Sequence, residues 1–210
     1  MVNLLETEYY KIIELNDSLG KVIEKPYYEI TVLSNITMNQ IKEILEFSLR
    51  DWDIPALVNM GEYDNIVQGS LNYSDSKSVI IFWELVNITK DLHYKINSLN
   101  EKQIDELLAV VKKNIDFVLK NLSECPLLIF NKFSSVIFTS NNYISEKLDN
   151  LCYDLNIFLE SKKQTNLHLI DTTKLLCQNG ILNSIDFRKY YSSKILYKPD
   201  FLKRYCDYVR

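Results

Sequence analysis

The residues that could do chemistry in this 210-residue chain fall at the ends of short apolar runs. In Tyr27 to Leu45, YYEITVLSNITMNQIKEIL, a β-rich run breaks at Ser34, Asn35 and Thr37 and gives way to helical spacing. A serine in such a strand-to-helix corner can act as a nucleophile if a base takes its proton; without one its hydroxyl is almost wholly protonated at neutral pH. It can equally be a turn hydroxyl bonded to nearby backbone. Asn35 and Thr37 could donate to an anion or a carbonyl, or cap the following helix, whose N-terminus favours negative charge in either case. Comparable corners follow at Asn59-Met-Gly61-Glu62, at Glu84 and Asn87, at Asn131 and at Asp171. Glu84 ends an otherwise apolar run, so its carboxylate lies either at an exposed rim or in a pocket, where burial would raise its pKa. Gly61 reads as a tight-turn glycine or as part of a pocket loop. Asp171 reads as the cap of a helix starting at Thr172, and Asp186 with Arg188 as an ion pair or helix-end contact.

Bases for Ser34 are scarce. The chain has two histidines, His93 in a loop-like stretch and His168 inside the fifth apolar run. Its four cysteines, Cys125, Cys152, Cys177 and Cys206, form no CxxC pair, so neither a zinc site nor a thioredoxin-like site is expected, and no cofactor or metal is called for. Cys152 and Cys177 occupy apolar positions of expected helices and read as buried thiols.

The elements that must position these residues follow from periodicity. Leu4 to about Val22 has helical spacing and predicts a leading helix, broken at Lys25-Pro26. Strands are predicted at Ile30–Leu33, Ala56–Val58, Ser78–Trp83, Pro126–Phe130 and Leu167–Ile170. Ser78–Trp83 is apolar throughout, as in a central parallel strand covered on both faces. Helices are predicted at Met38–Leu49 with Thr37 as cap, around Ile66–Leu71, at Glu101–Leu122, at Ser145–Ser161, after Asp171 until Asn179-Gly180, and at Pro199–Val209. Strands alternating with helices predict a three-layer α/β/α sandwich around a five-stranded parallel sheet of the flavodoxin-like kind, with an N-terminal helix. The expected division is a helical arm over residues 1–25 and one α/β domain over 26–210. Ligands in such sheets bind beyond the carboxyl ends of the strands, which is where every corner above falls.

Composition narrows the function. The net charge is −4 with signs mixed along the chain, whereas nucleic acid requires a concentrated basic face. No apolar run approaches the roughly 18 residues of a membrane span, and the N-terminus does not read as a signal peptide, so a cytoplasmic protein with reduced thiols is expected. Abundant Asn, Lys and Ile read as the imprint of an AT-rich genome more than as physics. The fourteen tyrosines crowd towards the end, at Tyr190-Tyr191, Tyr197, Tyr205 and Tyr208, as half-buried packing or a docking surface.

The corner residues resemble the motif blocks of the SGNH (GDSL-like) hydrolase superfamily, whose blocks read Gly-Asp-Ser, Asn-x-Gly, Gly-x-Asn-Asp and a late Asp-x-x-His. Asn59-Met-Gly61 matches the second block. Ser34-Asn35-Ile36 stands where Gly-Asp-Ser would, Trp83-Glu84-Leu85-Val86-Asn87 lacks the glycine, and Asp186-Phe-Arg-Lys189 puts a lysine where the histidine belongs. The resemblance implies the fold and argues against the hydrolysis. A closer resemblance, carried by LSNIT, YDNIVQGSL, SVIIFWELVNI, LIDTTKLLCQNG and DFRKYYSSKILYKPDF, is to the N-terminal SGNH-like region of FkbH-like proteins, from about Tyr10 onward. In that family a haloacid-dehalogenase (HAD) type phosphatase domain of subfamily IIIC follows, opening on an Asp-x-Asp-x-Thr loop that this sequence does not contain. The resemblance implies a front portion of a longer protein or a stand-alone relative. It would assist the loading of a small acyl unit of glyceryl type onto an acyl carrier protein, in polyketide or surface-polysaccharide biosynthesis. The partners implied are the carrier, a HAD-type phosphatase domain or a second copy. The ligand pocket expected from these blocks comprises Ser34, Asn35, Thr37, Asn59, Gly61, Glu84 and Asp186, with Ser34 the one candidate nucleophile. Two rival readings are an active SGNH-type esterase or acetyltransferase using Ser34 with Glu84 or His168 as base, and a structural dimer or scaffold.

Overall fold

The structure, a computed structural model, describes residues 2–24, 26–137 and 146–210. Along the chain the elements are α1 (Tyr9–Val22), β1 (Tyr28–Ser34), α2 (Gln40–Arg50), β2 (Ala56–Met60), α3 (Ile66–Gly69), β3 (Ser78–Phe82), α4 (Leu92–Lys95), α5 (Glu101–Asn121), β4 (Leu127–Asn131), α6 (Glu146–Glu160), β5 (Leu167–Ile170), α7 (Thr172–Asn179), α8 (Ile181–Ser184), α9 (Phe187–Ser193) and α10 (Pro199–Val209). The five strands form one parallel sheet in the order β2-β1-β3-β4-β5, flanked by helices as a three-layer α/β/α fold. Two compact units divide the chain: Met1–Val32, Thr37–Met60 and Lys174–Arg210 form one, Leu33–Ile36 with Gly61–Thr173 the other.

In the first unit, β1 and β2 pair in parallel from Tyr28↔Ala56 to Val32↔Met60. Helix α2 packs against α1, β2 and α10. Its Ile41, Ile44, Leu45 and Leu49 are buried at helical spacing, as expected, and Phe47 joins them. Beneath them lies a polar knot. The Glu46 carboxylate accepts from the Val58 N–H (2.9 Å) and the Asn16 amide (3.0 Å), and it lies 3.5 Å from the Arg50 guanidinium. Arg50 in turn donates to Asn16 Oδ1 (2.8 Å) and, through Nε and Nη2, to the Ala56 carbonyl (3.1 and 2.9 Å). A buried ion pair persists where further hydrogen bonds satisfy both charges, as here.

The leading helix begins at Tyr9, not Leu4; Leu4 is nonetheless buried, and Lys203 of α10 donates to the Leu5 and Thr7 carbonyls (3.2 and 3.1 Å), holding that stretch as a turn. Between Gly180, whose φ of 81° suits only a residue without a Cβ, and α10, the short helices α8 and α9 occupy a stretch that periodicity left unassigned. Of the late tyrosines, Tyr190, Tyr197 and Tyr205 are buried, whereas Tyr191 and Tyr208 are exposed.

In the second unit, β3, β4 and β5 pair in parallel, Ile81↔Phe130 and Phe130↔Leu169 among the partners. Every residue of β3 is buried. Helices α5 and α6 pack together over a core that includes Val79, Ile81, Val118, Leu128, Phe130 and Leu155. Asn100 and Gln103 close a reciprocal capping box that fixes where α5 starts. The start expected for α6, Ser145, lies outside the described residues.

Candidate functional site

In the second unit the carboxyl ends of the strands form a polar rim on an apolar core. Ser34, Asn35 and Ile36 make the turn that leaves β1, and all three are buried. The Ser34 hydroxyl donates to the Ile36 carbonyl (2.9 Å), and Ser34 Oγ accepts the Ile36 N–H (3.1 Å). Both bonds close inside one turn, the backbone-bonded arrangement that serine favours where a strand ends. The proton a nucleophile would have to release is directed at a carbonyl oxygen, which cannot accept it chemically. His168 sits on β5 with its side chain exposed, and in the strand order β3 and β4 stand between β5 and β1. His93 stands on the short helix α4, not in a loop, with its ring against Tyr94 at 4.0 Å between centroids.

The rim is held by side-chain amides. Asn35 Oδ1 accepts the Glu84 N–H (2.6 Å) while Asn35 Nδ2 donates to the Glu84 carbonyl (2.9 Å). Asn131 repeats this on the adjacent residue: Oδ1 accepts the Trp83 N–H (2.5 Å) and Nδ2 donates to the Trp83 carbonyl (3.2 Å) and to that of Lys132 (3.2 Å). Asn156, on α6, does the same to Phe133, accepting its N–H (2.8 Å) and donating to its carbonyl (3.0 Å). Asn87 closes the set by donating to the Asn35 carbonyl (2.8 Å). Asn35, Asn131 and Asn156 thus each give one acceptor and one donor to the backbone of one residue, which is what a neighbouring strand would supply.

Glu84, fixed in this way, is 2% exposed, so of the two positions open to it from the sequence the structure shows the buried one. Its negative charge is felt by the Cys152 thiol. Burial is the main cause that pushes this thiol up, to about 11; a hydrogen bond with Ser135 opposes the rise and Glu84 adds to it. Cys152 Sγ donates to the Phe133 carbonyl (3.3 Å) and is a neutral thiol at ordinary pH. Cys177 is exposed, against the expectation of burial. Next to the clamps, Thr172 donates to the Lys132 carbonyl (2.6 Å) and Thr173 to Ser134 Oγ (2.9 Å). The Lys132 ammonium lies 2.7 Å from Glu160 and 3.8 Å from Asp171.

The other candidate residues are used differently. Thr37 does not cap α2, which begins at Gln40 after an Asn39 that makes no capping bond. Its N–H and hydroxyl instead donate to the Lys194 and Ser193 carbonyls (3.0 and 2.9 Å), satisfying the C-terminal end of α9. Asn59 lies inside β2, exposed on the edge strand, one residue past the buried Val58. Gly61 does not need its conformational freedom: among the described residues Gly180 is the glycine with a left-handed φ. Asp186 caps α9 by accepting the Lys189 N–H (3.0 Å), and that bond, helped by the Lys189 charge, holds its carboxyl below the usual range. The Lys189 backbone N–H therefore serves a helix cap.

A cleft beside the start of α2, lined by Thr37, Met38, Asn39, Gln40, Tyr197 and Leu202, measures about 60 Å³. A pocket for a metabolite needs roughly 300 Å³ or more, so this gap is too small for one. Among the described residues no cluster of three or more His, Cys, Asp or Glu is placed to hold a metal, and no helix is long and apolar enough to cross a membrane.

No family model matches the chain, and no curated protein matches it. Among solved structures it is similar to the N-terminal part of the protein BF1531 from Bacteroides fragilis, which contains a phosphatase domain and was determined in complex with Mg. The TM-score is 0.74 at 13% sequence identity; the match covers 97% of this chain and 55% of that one. The likeness shows the fold. The chain therefore spans a little over half the length of the solved structure it matches.

Proposed function

We propose that the chain is a non-hydrolytic, SGNH-like domain of an FkbH-like protein, and that it assists the loading of a small acyl unit of glyceryl type onto an acyl carrier protein in polyketide or surface-polysaccharide biosynthesis. The observation that carries the reading is the closed Ser34 turn. The Ser34 hydroxyl, the one candidate nucleophile at this corner, is bonded to its own backbone on both its donor and its acceptor side. The fold likeness to part of a protein that contains a phosphatase domain supports placing a HAD-type phosphatase domain beside this one as partner. Phosphoryl chemistry then falls to that partner, because the Asp-x-Asp-x-Thr loop is absent from this sequence. This domain's share is to hold the acyl unit or its carrier at the strand ends, with Glu84 as the side chain nearest the ligand.

Two measurements test the reading. The purified chain turns over no p-nitrophenyl acetate above the uncatalysed rate; turnover that disappears in Ser34→Ala would establish an esterase and defeat the proposal. With a HAD-type phosphatase domain, an acyl carrier protein and a phosphorylated glycerate present, adding the chain accelerates formation of the glyceryl thioester on the carrier. A rate indifferent to the chain counts against the role in loading.

A further inference from the structure

The three amide clamps share a geometry that the proposed function does not require and that secondary structure does not supply. Trp83 and Glu84 lie just past the end of β3, where successive backbone groups of an extended chain point to opposite sides. Asn131 comes from β4 and takes the N–H and C=O of Trp83; Asn35 follows β1 and takes those of Glu84. The alternation is that of a central strand between two neighbours, with one side chain replacing each. Asn156 holds Phe133 in the same manner at the rim beyond β4, and the Phe133 carbonyl also receives Cys152 Sγ. A buried N–H or C=O left unpaired is costly, so irregular backbone at this depth stays in one conformation only when every such group is met.

We propose that Asn131, together with Asn35 and Asn156, is a positioning residue of the strand-end site: these amides extend β3 and β4 past their last ladder bonds and so fix the Glu84 carboxylate and the Phe133–Ser135 segment in one arrangement before any ligand arrives. This rests on the reading that the strand ends are the site, and it assigns to Asn131 and Asn156 a role that neither motif block nor composition gives them. A carboxylate on a freely jointed segment would need ordering at each binding event; one whose own backbone N–H and C=O, and those of the residue before it, are all held does not.

The test reads the protein itself. In the full chain labelled with ¹³C at glutamate side-chain carboxyls, the Glu84 resonance is assigned by its disappearance in Glu84→Gln. Asn131→Ala is expected to displace that resonance and to speed exchange of the Trp83 amide by about 10-fold to 100-fold. The Glu46 resonance, from the knot under α2, stays in place. Asn35→Ala is expected to displace the Glu84 resonance and to release the Glu84 amide while leaving that of Trp83 protected. A Glu84 resonance unmoved in both variants overturns the proposal. So does an equal movement of Glu46, which would mean general loosening. Should the alanine variants fail to fold, the unaltered chain decides: scalar couplings across the hydrogen bonds, from the Trp83 nitrogen to the Asn131 side-chain carbonyl carbon and from the Glu84 nitrogen to that of Asn35, support it, and their absence refutes it. Ester turnover would defeat the functional reading without touching these signals, so the two failures are distinct.

Discussion

Two buried polar regions of this molecule solve opposite problems. The Asn16–Glu46–Arg50 knot carries full charges and uses them to tie a helix to its sheet: Glu46 reaches the Val58 N–H and Arg50 the Ala56 carbonyl. The strand-end rim uses neutral amides to hold backbone that has left the sheet, as Asn131 holds Trp83. In the knot the charges need each other, and the backbone contacts come with that. In the rim the backbone is what must be satisfied, and an amide is the side chain that carries a donor and an acceptor of the right spacing. Burial of polar groups is thus a stability device in one place and a means of preorganisation in the other, and the size of the response to mutation separates them.

The largest effect is expected in the knot. Arg50→Ala leaves the Glu46 carboxylate buried without its counter-charge, and breaking a buried pair in this way costs about 3–5 kcal/mol. Urea unfolding followed by circular dichroism measures it. A loss below about 1 kcal/mol would show that the knot is wet and the contrast with the rim unfounded.

Next comes an alkaline limit that belongs to the rim. The Cys152 thiol is held up at about 11, against an unfolded thiol near 9. A group whose pKa is raised by folding favours the native state below its unfolded pKa and loses that contribution as pH climbs through the folded value. Stability should therefore fall between about pH 9 and pH 11, by about 2–3 kcal/mol for a shift of this size. Cys152→Ala should show a shallower decline over the same window. Parallel profiles for the two proteins would mean that the thiol is reached by water in the native state.

Asn131→Ala is expected to cost about 1–3 kcal/mol, the desolvation of the Trp83 groups it leaves unpaired. This is less than the knot mutation because no charge is stranded. A cost above that of Arg50→Ala would reverse the ranking on which the comparison stands.

Much of the sheet could be read from the chain because its signal is strong and local. Val79–Phe82 is apolar at every position and buried at every position, and Leu167–Ile170 and Pro199–Val209 begin and end where their patterns do. What stayed hidden depended on partners distant in sequence. Thr37 has the chemistry of a helix cap, but its partners are carbonyls more than 150 residues later, and no local pattern announces them. Asn35 was visible as a polar residue at a corner, yet its donor role towards a ligand gave way to a clamp on Glu84, 49 residues away. The clamps were masked further by composition, since in a chain rich in asparagine no single one stands out. An Asn ending the apolar run Leu127–Phe130 was the available signal, because a side chain that polar on a buried strand must have a partner.

The smallest effect should come from the outer edge of the rim, where Lys132 meets Glu160 and Asp171. The hydrogen bond to Glu160 is the main cause raising the lysine pKa, opposed by partial burial and assisted by the Asp171 charge. By the same sign rule, its stabilisation is present below the ordinary lysine value and lost as pH rises beyond it. Glu160 is about half exposed, so water and salt screen the pair, and Lys132→Met should cost only about 0.2–1 kcal/mol at neutral pH and less in high salt. A salt-independent cost comparable to that of Asn131→Ala would make Lys132 part of the clamp system through its backbone neighbours, Thr172 and Asn131, and the rim would then be one cooperative unit of charges and amides instead of amides alone.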